Sequence, residues 1–316
     1  MGNWGQTLQE IQKEQEAGNP APFDAVRRKY LTALQSHTKR NVIAYYSGFL
    51  SKPRVAGVEI DDDDKNGFMQ AIHQLDRKLG LDLILHTPGG NIAATESLVH
   101  YLKEMFKNDI RAVVPQIAMS AGTMLACSCK KIVMGKHSNL GPIDPQIFGI
   151  PALGVLREFQ KAKEEIIADP RLAEVWRPIL AQLSPSFLDQ CELAGKWSRD
   201  FVVKALMANM FASEQDKVAR ATRVVEGLSD VEDNKAHNKH LHYEKCRSLG
   251  LEIDLLEDDP TLQDLVLTVH HCYMHTLSNT AAFKIIENHL GVAMVRQMAQ
   301  PTLPTGLTIG FGGPPA

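Results

Sequence analysis

A mostly parallel α/β sheet carrying a helical arm is the fold that this sequence of 316 residues predicts. Three observations lead to it. Short apolar, β-branched runs alternate with helical patterns, two of those runs stop at turns built from small residues, and one long helix-like stretch interrupts the alternation before it resumes. With 44% hydrophobic and 22% charged residues, the composition is that of an ordinary globular chain and excludes disordered, collagenous and coiled-coil classes.

Residues 1–40 read as a polar helical lead-in, helical to about Gln35. Asn41 to Ser47 is the first strand, β-branched and aromatic, with Gly48 behind it. Gly67 to Leu79 places Phe68, Ile72, Leu75 and Leu79 at helical spacing. Leu81 to Thr87 is a second strand, Pro88-Gly89-Gly90 a turn, and Asn91 to Phe106 a helix capped by Asn91. Ile110 to Pro115 and Lys131 to Met134 are further strands, with a helical start at Ser120 to Ala126 between them. The helical arm spans about 151–235, its breaks expected near Pro170, Pro185 and Gly195. Tyr243 to Leu249 is a short helix ending on Gly250, and Leu251 to Leu256 is strand-like. One domain over 41–300 therefore carries the arm as an interruption. From 301 to 316 a tail holds four prolines and four glycines.

The formal charge of −3 leaves no clustered Lys and Arg for phosphate, so nucleic acid is not an expected partner. Cys127, Cys129, Cys191, Cys246 and Cys272 form neither a disulfide framework nor a zinc ribbon. The polar start shows no signal peptide, and a cytoplasmic location is the expectation.

Two turns carry the chemistry. At Thr87-Pro88-Gly89-Gly90 a buried strand stops at consecutive glycines, which leaves backbone N–H groups free for a ligand oxygen. At Ala118-Met119-Ser120-Ala121-Gly122-Thr123 a serine opens a helix beside amides able to hold an oxyanion. Either turn alone is an ordinary strand-to-helix connection or N-cap. Together they lie at the carboxyl ends of successive parallel strands, where open α/β sheets place their sites.

These residues resemble the Clp protease and crotonase superfamily, and within it the serine dehydrogenase proteinase family, related to signal peptide peptidase A. The resemblance rests on Asp82 to Gly90, Met119 to Ala126 and Asn139 to Gln146, with a fourth patch at His240 to Asp254. It implies a Clp/crotonase-like fold of repeated ββα units and a serine endopeptidase. Ser120 would be the nucleophile, the N–H groups of Gly90 and Ala121 the oxyanion hole, and Gly89 and Asn91 part of the substrate-binding edge. No cofactor or metal is implied, and with no Walker-type loop the chain would be ATP-independent on its own. A homo-oligomer built on trimers is implied, with peptide or unfolded protein as substrate, membrane-derived substrates included.

The proton acceptor is the open question. In the Clp subunit it is a histidine about 25 residues after the serine, a position held here by Pro145 between Asp144 and Gln146. His137 comes earlier, in a loop. The signal peptide peptidase branch uses a lysine about 40 to 50 residues on, a range containing Lys161 and Lys163. At about 100° per residue, Lys163 falls within the stripe of Leu156, Phe159, Ile166 and Ile167, where burial would favour a neutral amine, while Lys161 faces the polar side. Spacing favours Lys161, so both stand.

Asp61-Asp62-Asp63-Asp64 reads as an acidic cap on the following helix rather than a metal site. His237, His240, His242, His270, His271 and His275 are the strongest metal alternative, but His271 and His275 lack the glutamate of the metalloprotease pattern. Packing or an oligomer contact suits them better. Two other functional readings stand against the protease: a crotonase-type acyl-thioester enzyme, predicting carboxylate bases near the site, and a non-catalytic oligomeric peptide-binding scaffold.

Overall fold

The computed structural model describes residues 4–230 and 238–299. Two helices lead in, Trp4–Glu16 (α1) and Pro22–Thr38 (α2). The first strand, Asn41–Ser47 (β1), is buried along its whole length. Asp64–Ile72 (α3), Leu81–His86 (β2), Ile92–Phe106 (α4), Ile110–Val114 (β3), Ile117–Ala118 (β4), Ala121–Cys127 (α5), Lys131–Met134 (β5) and Asn139–Leu140 (β6) follow. A hairpin of Gln146–Ile147 (β7) and Ile150–Pro151 (β8) opens the arm, made of Ala152–Ala168 (α6), Ala173–Leu180 (α7), Phe187–Ala208 (α8) and Lys217–Ser229 (α9). Leu241–His242 (β9), Tyr243–Leu249 (α10), Ile253–Leu255 (β10), Pro260–Asn279 (α11), Ala282–Asn288 (β11) and Ala293–Gln297 (β12) complete the described chain.

The central sheet runs β10-β5-β3-β2-β1-β11-β12. Its first five strands are parallel, and the β11–β12 hairpin adds two antiparallel strands beside β1. Alternation along β1 divides the core. Ile43 and Tyr45 pack with α3, α4, α5, α8 and α9, whereas Val42, Ala44 and Tyr46 pack with α2 and α11. A strand buried on both faces reads as a continuous apolar run. The polar exception in β2, Asp82, is held by Arg40 at 2.8 Å and by Arg111 at 2.7 and 2.8 Å. A smaller sheet, β4-β6-β9, sits over the carboxyl ends of the parallel strands.

The expected mixed fold, its mainly parallel sheet and its arm are present, and β10 joins β5 as the late strand should. Four details differ. The expected helix from Gly67 to Leu79 begins earlier and ends at Ile72, with only a 3-10 turn at Arg77–Leu79. The break near Gly195 does not occur, because that glycine is where α8 meets α6, with Leu153 Cδ2 only 3.0 Å from where a Cβ would stand. The long helix α11 and the β11–β12 hairpin were not foreseen. The tail from 301 and His237 lie outside the described residues.

Among the described residues no cluster of His, Cys, Asp and Glu could hold a metal, and no helix is long and apolar enough to cross a membrane. His271 and His275 instead grip the Trp4 ring, with centroids 5.5 and 4.0 Å away, which fastens α1 to α11.

Candidate active site

The two turns singled out from sequence are stitched together by backbone. Thr87 N–H donates to Ile117 O at 3.2 Å, and Met119 N–H donates to Thr87 O at 3.0 Å. Thr123 then donates to Ala118 O at 2.8 Å and accepts the Gly141 N–H at 2.9 Å, which ties α5 to β4 and to the segment after β6. Asn91 caps α4 by accepting the Ala94 N–H at 3.1 Å, as its position predicts.

Ser120 stands at φ 49°, ψ −117°, a conformation that non-glycine residues seldom adopt. Such a backbone costs on the order of 1–3 kcal/mol and persists only where surrounding structure enforces it. Here the enforcement is contact with Gly89, at φ 98°. A Cβ on Gly89 would lie 2.7 Å from Ser120 Cβ and 2.9 Å from Ala121 N, so only glycine lets the turns approach this closely. Ser120 caps nothing, and its hydroxyl has no hydrogen bond among the described residues.

Gly90 is gripped from behind by Ile60, whose N–H donates to Gly89 O at 2.7 Å and whose carbonyl accepts the Asn91 N–H at 2.9 Å. This parallel bridge uses the groups on either side of Gly90 and leaves its own N–H unused. The N–H of Ala121, first in α5, has no partner among the described residues either. A serine hydroxyl and two unpaired amides therefore meet at one strand end. That is the combination an oxyanion hole needs.

Ser120 and Gly90 border a cavity of about 490 Å³, and Ala121 is buried directly behind Ser120. Pro88, Gly89, Gly90, Asn91 and Ser120 form its floor, and Met124, Pro145, Ala194 and Trp197 supply an apolar wall. Pro145, at the position where the Clp subunit carries histidine, is thus in the wall itself. Glu59 and Gln146 are the polar side chains on the rim.

Neither expected lysine reaches this cavity. Lys161 is 65% exposed, lines a separate groove beside Trp176 and pairs with Glu165 at 3.8 Å. Lys163 is exposed too, which corrects the expectation of a desolvated amine. The fully buried residues of α6 are Ala152 and Ala162; of the apolar stripe that Lys163 shares, Leu156 packs beside Phe187 and Cys191 while Phe159 and Ile167 are exposed, Ile167 at 72%. His137 is engaged elsewhere, its Nε2 2.9 Å from Pro115 O.

Sequence reasoning passed over Ile60, Glu59, Trp197 and Met124. Ile60 and Glu59 belong to an irregular segment, and Trp197 lies on the arm. Only the helical start at Ser120 put Met124, one turn on, within reach of inference.

A model of the ClpP-like SDH-type serine proteinases matches residues 23–262, and the chain belongs to that family. Two relatives come from Methanocaldococcus jannaschii, the uncharacterized proteins MJ1495 and MJ0137. They are 30% identical over 206 residues and 27% identical over 220 residues. Those alignments cover 65% and 69% of this chain, and 62% and 68% of the two relatives. Gly89, Gly90, Ser120 and Ala121 all fall within the family-matched stretch.

Proposed function

We propose that the protein is a serine endopeptidase in which Ser120 Oγ attacks a peptide carbonyl carbon while the N–H groups of Gly90 and Ala121 hold the resulting oxyanion. The observation that carries this reading is the strained Ser120 backbone on a cavity floor shared with Gly90, followed at once by the unpaired Ala121 amide. An extended peptide would lie along Gly89 to Asn91, its side chain beside Met124 and Trp197 in the apolar part of the cavity. Attack transfers the Oγ proton to a base and then to the leaving amine, and water hydrolyses the acyl-enzyme.

The base in this reading is a lysine of α6, Lys163 or Lys161. Among the described residues no lysine or histidine lines the cavity, so in this reading the base reaches Ser120 from the arm of a neighbouring copy, an assembly that would also cover Phe159 and Ile167. Subunit mixing tests this. Ser120→Ala and the double variant Lys161→Ala/Lys163→Ala should each be inactive against casein, while their mixture, after exchange of subunits, regains activity at roughly a quarter of the sites by random pairing in a symmetric assembly. A mixture that stays inactive despite exchange removes the lysine from the neighbouring copy.

One observation favours a second reading: Glu59 on the cavity rim is a carboxylate where a crotonase-type enzyme needs a base. That reading predicts acyl-thioester turnover that survives Ser120→Ala and disappears in Glu59→Gln.

A further inference from the structure

We propose that the buried ion pair Lys284–Asp64 is a positioning device that holds the Gly90 amide in place from behind. Lys284 on β11 is fully buried, and its Nζ lies 2.7 Å from Asp64 Oδ1. The same ammonium donates to Glu59 O at 2.6 Å. The other carboxylate oxygen, Asp64 Oδ2, accepts the Asp61 N–H at 3.1 Å and the Tyr45 hydroxyl at 2.8 Å. One ion pair therefore anchors the residue before Ile60 and the residue after it. Ile60, suspended between these anchors, makes the two backbone bonds that flank Gly90.

The approach is so close that a Cβ on Gly90 would fall 2.3 Å from Ile60 N and 2.4 Å from Ile60 O. A displacement of Ile60 is thus passed directly to the turn. The turn is also braced locally, since Thr87 Oγ1 accepts the Gly89 N–H at 3.2 Å. Outside this core, Arg296 completes the charge balance, 2.6 Å from Asp61 and 4.0 Å from Asp64. The run of aspartates is then no simple helix cap. Asp64 faces inward as half of the clamp, and Asp61 links it to the surface.

Lys284 and Asp64 touch no substrate in this account; they act through Ile60. The inference rests on the reading of Gly90 as an oxyanion donor for its catalytic consequence, and on geometry alone for the clamp. In the full-length protein, Lys284→Met/Asp64→Leu removes both charges together and leaves no lone buried charge to unfold the chain. Hydrogen exchange followed by mass spectrometry should show the amides of Ile60 and Asn91 exchanging about tenfold faster or more, with β2 and β3 as in the wild type. Phosphonylation of Ser120 by a fluorophosphonate should slow about tenfold or more, and kcat for peptide cleavage should fall while KM stays within about twofold. Unchanged exchange at Ile60 and Asn91, or an equal rise across the whole sheet, overturns the clamp. A wild-type protein that takes up no fluorophosphonate overturns the hydrolase reading instead, and the exchange comparison still decides the clamp.

Discussion

Lys284 and the lysines of α6 occupy opposite physical situations. The first is fully buried in the sheet, with a carboxylate and a carbonyl as partners. The others stand in solvent on a helix that also exposes Phe159 and Ile167. The sheet region satisfies its charges internally and fixes backbone positions. The arm offers exposed charge together with exposed Phe159, Ile167, Val175 and Ile179, which is how a surface awaiting a partner is composed. A lysine is positioned by what surrounds it, and in the proposed function the arm lysines take those surroundings from a neighbouring copy.

Lys284→Met alone should break this contrast most visibly. It strands Asp64 in the core and should cost about 3–5 kcal/mol in urea unfolding, whereas Lys161→Ala should cost no more than about 0.5 kcal/mol. Equal losses would erase the distinction between the two regions. Next in size is Gly90→Ala, whose added methyl group has no room against Ile60. With the turn displaced and one oxyanion donor lost, peptide hydrolysis should fall by about 10²–10³. A variant of wild-type activity would show that this amide is not used.

His86 sharpens the picture of the sheet region through pH. It ends β2, is fully buried against the rings of Tyr46, Phe49 and His270, and neither ring nitrogen has a hydrogen-bond partner among the described residues. Burial holds its imidazole neutral by lowering the pKa to about 3. The unfolded chain takes up that proton first, near pH 6.5, so stability falls as pH drops from about 6.5 toward 3. His86→Leu should remove about 2 kcal/mol of the loss seen between neutral pH and pH 5, by thermal melting at each pH. Identical pH slopes would mean that the imidazole gains a partner when protonated. The smallest effect concerns the arm. Phe159→Ser/Ile167→Ser should weaken self-association about tenfold in sedimentation, with the melting of the isolated chain unaltered.

The sheet was legible in the sequence because its strands are buried on both faces and punctuated by glycine, which makes Asn41 to Ser47 and Leu81 to Thr87 unmistakable runs. The cap at Asn91 and the stop at Gly250 follow from local chemistry alone. Lys163 misleads for a physical reason: a helical stripe tells which residues share a face, not whether that face meets the chain's own core. The clamp was illegible because Asp64 and Lys284 lie 220 positions apart, and in the sequence the aspartate run looks like surface charge. Ile60 shows the same limit, since its role depends on a bridge to Gly90 that no local pattern announces.

The central claim is that Ser120 is a nucleophile served by a lysine of α6. Exposure of the protein to a fluorophosphonate, followed by mapping of the adduct by mass spectrometry, tests it most directly. A single adduct on Ser120 is expected, lost in Ser120→Ala and strongly diminished in Lys161→Ala/Lys163→Ala. An unlabelled Ser120 in folded protein that also leaves casein intact would contradict it.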